Sequence, residues 1–291
     1  MPPIVIALIV AAAVMHAAWN VLLKTSGDPL LTAGRAMLAG TVAAAPLAIA
    51  AWFLDGRPSI PPEALALGVL SGALEVVYFV FLTGAYRRGE LSVVYPIARG
   101  TAPLLAVLAG VVLLGERLGI AGTLGVAALI AGILVVQRPW RFLRAGATLE
   151  AAVPWALATG VATASYSTVD RLGARLVAPW LFAAILFPVA AIGLAGYIRM
   201  RGDRGVVAAA PSWGRATVAG LLAIGTYVLV LAAFALAPLS VVAPLRESAV
   251  VLVSVWSAWR LGEARNRRDA TIRLAAAALI VAGAVLLALD R

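Results

Sequence analysis

The sequence predicts an all-α membrane protein: ten transmembrane helices arranged as two inverted five-helix repeats. Three observations carry that prediction. The 291 residues are 63% hydrophobic and only 12% charged, with a mean hydropathy of +1.02. The apolar residues fall into ten runs, each about long enough to cross a bilayer. A series of short motifs then recurs halfway along the chain. A soluble domain of this length would lack the polar surface to cover so much apolar side chain, so the bilayer is the expected solvent.

About twenty apolar residues span the hydrocarbon core as a helix. By that criterion the spans fall at 4–24, 30–54, 63–86, 91–114 and 119–137, then at 152–170, 179–198, 213–236, 239–261 and 270–289. Only Met1-Pro2-Pro3 precede the first span, without a basic region or small-residue cleavage site, which predicts a retained helix. Turn formers separate the spans, as in Ser26-Gly27-Asp28-Pro29 and Ser59-Ile60-Pro61-Pro62. Only 138–150 and 199–212 are long enough to be real loops. With no water at depth, each span has to satisfy its own backbone hydrogen bonds, which leaves the helix as the conformation.

The chain repeats itself. Leu91-Ser92-Val93-Val94-Tyr95-Pro96 returns as Leu239-Ser240-Val241-Val242-Ala243-Pro244, an offset of 148. Each copy runs on to Leu-Gly-Glu, at 114–116 and 261–263, and then to a last span holding Ala-Leu-Ile, at 128–130 and 278–280. Weaker matches set Trp19-Asn20 against Tyr166-Ser167, and Lys24 against Arg171. The expected organisation is a first repeat over 1–137, a connecting loop over 138–151 and a second repeat over 152–291. A unit with an odd number of helices repeated in tandem inverts its second copy, a recurring transporter design with the site at the repeat interface.

Charge placement supports a membrane and sets an orientation. Fifteen Lys and Arg lie in the loops after odd-numbered spans and five on the other side, which puts both termini outside the cytoplasm. The net charge of +10 is therefore topogenic, and no nucleic-acid partner is expected. The absence of Cys and the single His, His16, exclude disulfides, iron–sulfur clusters and His/Cys zinc sites. No cofactor and no metal are expected. No phosphate-cradling loop occurs, so direct ATP coupling within this chain is excluded. Paired Asp residues, a His-rich motif and a Ser/His dyad are lacking as well, and the chain is not read as an enzyme.

Span 1 ends in His16-Ala17-Ala18-Trp19-Asn20-Val21-Leu22-Leu23-Lys24. Span 4 carries Tyr95-Pro96-Ile97-Ala98-Arg99-Gly100-Thr101-Ala102-Pro103, followed by Leu114-Gly115-Glu116-Arg117. In this order the motifs resemble the EamA family of the drug/metabolite transporter superfamily, over essentially the whole chain. The resemblance implies ten helices around a central cavity lined mainly by helices 1, 3, 4, 6, 8 and 9, with helices 5 and 10 peripheral. It also implies export or exchange of amino acids and related metabolites across a bacterial inner membrane. The charge count departs from the family habit of cytoplasmic termini. Span 1 also lacks the carboxylate found in the four-helix multidrug exporters, which argues against proton-coupled export of lipophilic cations.

Charges at membrane depth cost roughly 2.5–3.5 kcal/mol each on insertion scales, so each needs a reason. Glu75 sits midway along span 3, Arg99 about two turns into span 4, and Arg246-Glu247 at the equivalent depth of span 9. Two readings stand. The guanidiniums grip a substrate carboxylate or phosphonate, with Glu75 and Glu247 balancing them or binding an amino group. Alternatively they form internal pairs that lock helices, Glu75 with Arg99 and Arg246 with Glu247 or another partner. Arg35, close to a span end, reads as a snorkelling side chain.

His16, Trp19 and Asn20 share one face of helix 1, as a substrate or proton site or as packing. Tyr78, Tyr95, Tyr166 and Tyr227 fall on the same expected faces, forming aromatic cavity walls or packing against lipid and neighbours. Small residues at Ala121, Gly125, Ala128 and Gly132 on helix 5, and Ala275, Ala278 and Ala282 on helix 10, predict close packing. Glu116 and Glu263 are expected to cap the next span.

The expected function is secondary transport of a small zwitterionic or anionic metabolite, amino acids first, by alternating access. The driving force would be an exchanged solute or protons, and the protein a monomer or weak homodimer. The alternatives are an organophosphonate or carboxylate permease, a lipid or lipid-linked-sugar flippase and, remotely, an intramembrane enzyme.

Overall fold

A computed structural model describes residues 2–24, 28–89, 91–137, 151–201, 212–247 and 267–289. They form α1 (Pro3–Lys24), α2 (Pro29–Leu54), α3 (Pro62–Tyr86), α4 (Leu91–Val112), α5 (Ile120–Gln137), α6 (Val153–Gly173), α7 (Pro179–Arg201), α8 (Trp213–Leu236), α9 (described over 239–247) and α10 (Arg267–Leu289). Among the described residues there is no strand. The connecting segment 138–150, most of the loop at 199–212, the later part of span 9 and Glu263 lie outside the described residues.

The turn chemistry read from the sequence starts the helices. Asp28 Oδ1 accepts from the Leu30 and Leu31 amides at 2.9 and 3.0 Å, with Pro29 in the first turn of α2. Ser212 caps α8 through the Arg215 amide. Four helices, within α2, α3, α7 and α8, are long and apolar enough by themselves to cross a membrane, and α1, α4, α5 and α10 carry shorter apolar stretches.

Packing is the reverse of a soluble bundle. Large apolar side chains point outward, with Leu47 70% and Ile192 71% exposed. The buried face of α3 reads Ala64, Gly68, Ser71, Gly72 and Glu75, small and polar at helical spacing. The buried face of α6 likewise carries Thr159, Gly160, Thr163, Tyr166, Ser167 and Asp170. Apolar faces cover an exterior that meets lipid, and small faces let helices approach closely.

The pairings are α1 on α8, α3 on α6, α2 on α8, α3 on α7, α2 on α7, α4 on α6 and α5 on α10. Where α2 crosses α8 the backbones touch. A Cβ built on Gly40 would lie 2.6 Å from the Gly220 carbonyl carbon, and one on Gly220 only 2.0 Å from the Ala36 oxygen. Main chain cannot yield as a flexible side chain does. Gly220→Leu is therefore expected to cost at least about 1–3 kcal/mol, seen as a lowered thermal transition in detergent, while Gly214→Ala, with open space around it, leaves the transition in place.

The small ridge of α5 holds at Gly125 and Gly132, which face Gly283 with Leu287, and Ala276 with Ile280. The α10 ridge needs correction. Ala275, Ala278 and Ala282 are exposed, and the face against α5 is Ala276, Ile280, Gly283 and Leu287. In a run as rich in alanine as 275–278, composition does not distinguish one helical face from the next.

Candidate functional site

Three charges meet where α4 faces α9. Arg99 Nη1 donates to both oxygens of Glu247, at 3.1 and 3.0 Å. Glu247 is also approached by its neighbour Arg246, with Nε at 3.3 Å and Nη2 at 3.2 Å from Oε1. Glu247 is 3% exposed, so one carboxylate holds two guanidiniums away from water. The Arg246 guanidinium also lies 6.0 Å from the Tyr166 ring centroid, in cation–π range.

The internal pairing expected for these charges is thus corrected in one part. Arg99 pairs with Glu247, not with Glu75, while Arg246 does pair with Glu247. Spacing gives the depth of a residue along its helix but not the helix's rotation about its own axis, and it is the rotation that selects the partner.

A second polar group lies between α3, α6 and α8, and Glu75, halfway along α3, is buried and lines the same cavity. Asp170 of α6 accepts from Ser71 Oγ at 2.5 Å and from the Tyr227 hydroxyl of α8. Tyr78, Tyr166 and Tyr227 form a connected aromatic wall, with edge contacts of 5.8 Å between Tyr78 and Tyr166 and a tilted contact of 6.3 Å between Tyr166 and Tyr227. Phe187 of α7 extends it at 5.4 Å from Tyr227. On α1, Trp19 Nε1 donates to His16 Nδ1 at 3.0 Å, so the neutral imidazole carries its proton on Nε2.

These groups enclose one cavity of about 110 Å³. Its lining contains His16, Trp19, Glu75, Tyr78, Arg99, Tyr166, Tyr227, Arg246 and Glu247. Asn20 and Tyr95 lie in α1 and α4, but their side chains are outside the described residues. Besides the six helices expected, α2 and α7 reach the cavity through Ala33, Ala36, Met37 and Phe187. Neither α5 nor α10 contributes to the lining. Among the described residues no three metal-type ligands stand together.

Residues 3–138 match the model of the EamA-like transporter family. That similarity spans somewhat under half of the chain. With the apolar helices, the match indicates a multi-pass membrane protein. A crystal structure of a protein 23% identical to it is similar over 99% of this chain and 98% of its own, with a TM-score of 0.73. That likeness shows a shared fold along the chain. No curated protein matches the sequence.

Sequence reasoning passed over two members of the polar group, Asp170 and Ser71. Asp170 falls at the edge of the expected sixth span, where a carboxylate reads as exposed; α6 instead continues to Gly173 and buries it completely. The available signal was its spacing of four from Tyr166, which puts both on the cavity-facing side. Ser71, four before Glu75, carried the same signal on α3.

Glu116 also departs from expectation. Gly115, at φ +64°, ends the fourth-helix segment and turns the chain back. Glu116 then caps α9 and not α5: Oε1 and Oε2 accept from the Leu239 and Ser240 amides at 2.6 and 2.9 Å. Arg171 of α6 supports it, with Nε at 3.5 Å, and donates to the Phe234 carbonyl. The nearest helix in sequence is not the one whose exposed amides lie closest in space.

Proposed function

We propose that this protein is a secondary transporter of a small zwitterionic or anionic metabolite, working by alternating access around the cavity between two inverted five-helix repeats. The observation that carries the reading is the charge set on the cavity wall. Arg99 and Arg246 share one carboxylate, Glu247, which leaves one positive charge in excess among the three. A carboxylate or phosphonate entering the cavity supplies the missing anion, and a guanidinium can hold it by two hydrogen bonds. The catalytic machinery of an enzyme is not needed; the site binds and releases.

Cavity size favours a small solute. At about 110 Å³ it is well below the 300–1,000 Å³ of pockets for drug-sized ligands, which argues for an amino acid over a lipid. The cavity walls are aromatic and apolar apart from a few anchors, which suits selection by size and charge. At the end of the bundle where α3 and α7 finish, Arg87, Arg88 and Arg201 surround a second cavity of about 510 Å³, a field that attracts anions.

The helix pairings support the inverted-repeat mechanism. Adding five to each helix number turns α1 on α8 into α6 on α3, and α2 on α8 into α7 on α3, and all four contacts occur. Arg99 and Glu247 are separated by 148 residues, the repeat offset, so the ion pair joins equivalent positions of the two halves. In an inverted-repeat transporter such a pair would stand at the pseudo-two-fold axis, where a site is shared by both repeats.

Counterflow in proteoliposomes with labelled amino acids, phosphonates and lipids is the test. Exchange of a soluble acid is expected. Movement of labelled lipid with no soluble solute would reverse the conclusion. Arg246→Ala is expected to lower anion exchange by roughly 30-fold or more, the effect of removing one partner of a buried charged contact. Exchange at the wild-type rate would make Arg246 a structural residue.

A further inference from the structure

We propose that the second cavity, at the end of the bundle where α3 and α7 finish, holds the phosphate headgroup of an anionic phospholipid. The inference goes beyond the transport reading and needs only that the helices span a bilayer. The two cavities share no lining residue, so the occupant is a resident lipid and not the transported solute.

Charge is the first support. Arg87 and Arg88 follow the last residue of α3 and Arg201 ends α7, and all three line a cavity of about 510 Å³. Among the described residues its lining includes no carboxylate. Asp28 Oδ2 lies 3.8 Å from Arg87 Nη2, beyond hydrogen-bond distance, and Asp28 Oδ1 is occupied by the amides that start α2. Three guanidiniums around one space suit a phosphate, whose oxygens accept several N–H donors at once.

The second support is that part of the site is formed in advance. Arg88 Nη1 donates to the Gly84 carbonyl at 2.9 Å, and its guanidinium carbon lies 4.0 Å from the Trp155 ring centroid. Stacking occupies the face of a guanidinium and leaves its edge, where the N–H donors are, for an anion. Trp155 is fixed in turn. It lies so close to α3 that a Cβ on Gly84 would enter its ring, and Phe81 meets it edge-on at 5.8 Å. Binding to side chains already held in place loses less conformational entropy than binding to loose ones.

The surroundings decide which anion fits. Helix α3 packs against both α6 and α7. Leu70, Val77, Val80 and Gly84 follow one another at spacings of seven, three and four, a single stripe along α3. Leu70 and Val77 are 48% and 40% exposed, so the stripe faces lipid, and it ends at Val80 and Gly84 in the cavity lining. A basic cavity that continues into an apolar surface matches a phospholipid, a charged head above a hydrocarbon chain. Trp155 and Tyr197 stand on its wall, at the level where aromatic rings meet headgroups. A soluble phosphate ester gains nothing from the apolar stripe. The count of Lys and Arg puts this end in the cytoplasm, on the side of the leaflet that attracts basic residues through its anionic lipids.

The test titrates the purified full chain in detergent with phosphatidylglycerol and counts bound lipid by native mass spectrometry. Phosphatidylcholine and glycerol 3-phosphate form separate arms. One phosphatidylglycerol is expected to bind ahead of phosphatidylcholine, and glycerol 3-phosphate far more weakly. Arg88→Gln and Arg201→Gln are each expected to weaken that first lipid about fivefold, the contribution of one basic residue near an anionic headgroup. Arg215→Gln is the control for charge alone: Arg215 is exposed in the first turn of α8, at the same end but outside the cavity lining, and its loss is expected to leave the first lipid in place. Equal weakening by all three variants would make the attraction a diffuse field and overturn the site. Wild-type protein with no preference for phosphatidylglycerol over phosphatidylcholine overturns it without any variant. Glycerol 3-phosphate that binds as tightly as the lipid would assign the cavity to soluble anions and defeat the lipid reading.

Discussion

Glu247→Ala is expected to cost roughly 3–5 kcal/mol of stability and to abolish transport. The side chain is 3% exposed and receives Arg99 at both oxygens and Arg246 at one. Its removal leaves two guanidiniums facing each other with water largely excluded, and their repulsion is stronger there than in bulk solvent. Thermal unfolding in detergent reads the first effect, and proteoliposome exchange the second. Arg35→Ala is the contrasting variant. Arg35 rests 5.1 Å from the ring of Trp213, itself 56% exposed, and an exposed cation–π contact is worth about 0.5–1 kcal/mol.

A double replacement separates a brace from a site. Arg99→Met with Glu247→Met removes both members of the long-range pair and fills their volume with apolar atoms. Buried pairs exchanged in this way are often neutral for stability. If the pair only holds α4 to α9, the double variant regains both the transition temperature and exchange. If it belongs to the anion site, stability returns and exchange does not.

What was legible in the sequence follows from what the bilayer demands. An unsatisfied backbone group in lipid is costly enough that a run such as Leu30–Leu54 can only be helix, and its limits can be read directly. Asp28 and Pro29 announced the start of α2 through the same capping chemistry that is observed. Depth along each helix was also legible, which is why Glu75, Arg99, Arg246 and Glu247 all reach one cavity.

Rotation and partner choice were not. Glu247 and not Glu75 takes Arg99, because α9 presents its carboxylate to α4. The α10 face lies one residue away from the expected stripe, since neighbouring alanines carry no angular information. Asp170 escaped notice because a carboxylate near a helix end normally faces water, and burial became visible only once α3 and α8 stood on either side of it. Each of these depends on contacts between segments far apart in the chain, and local pattern does not encode them.

Glu116→Ala is expected to match Glu247→Ala in consequence while acting from outside the cavity. Glu116 holds two amides at the start of α9 and the Arg171 guanidinium, and its side chain is only 9% exposed. Hydrogen bonds to a charged group contribute about 1.5–3 kcal/mol each. Losing both, with Arg171 left beside the vacated position, amounts to roughly 3–5 kcal/mol. The functional effect comes through geometry. Arg246 and Glu247 lie about two turns along α9 from Leu239 and Ser240, so a helix released at its start shifts both charges relative to Arg99. Exchange is therefore expected to fall with Glu116→Ala even though Glu116 touches no cavity atom. Glu116→Gln keeps an acceptor for one amide but loses the attraction to Arg171, and is expected to fall between the wild type and Glu116→Ala in both unfolding temperature and exchange. Equal exchange rates in all three proteins would show that the start of α9 is held by other contacts.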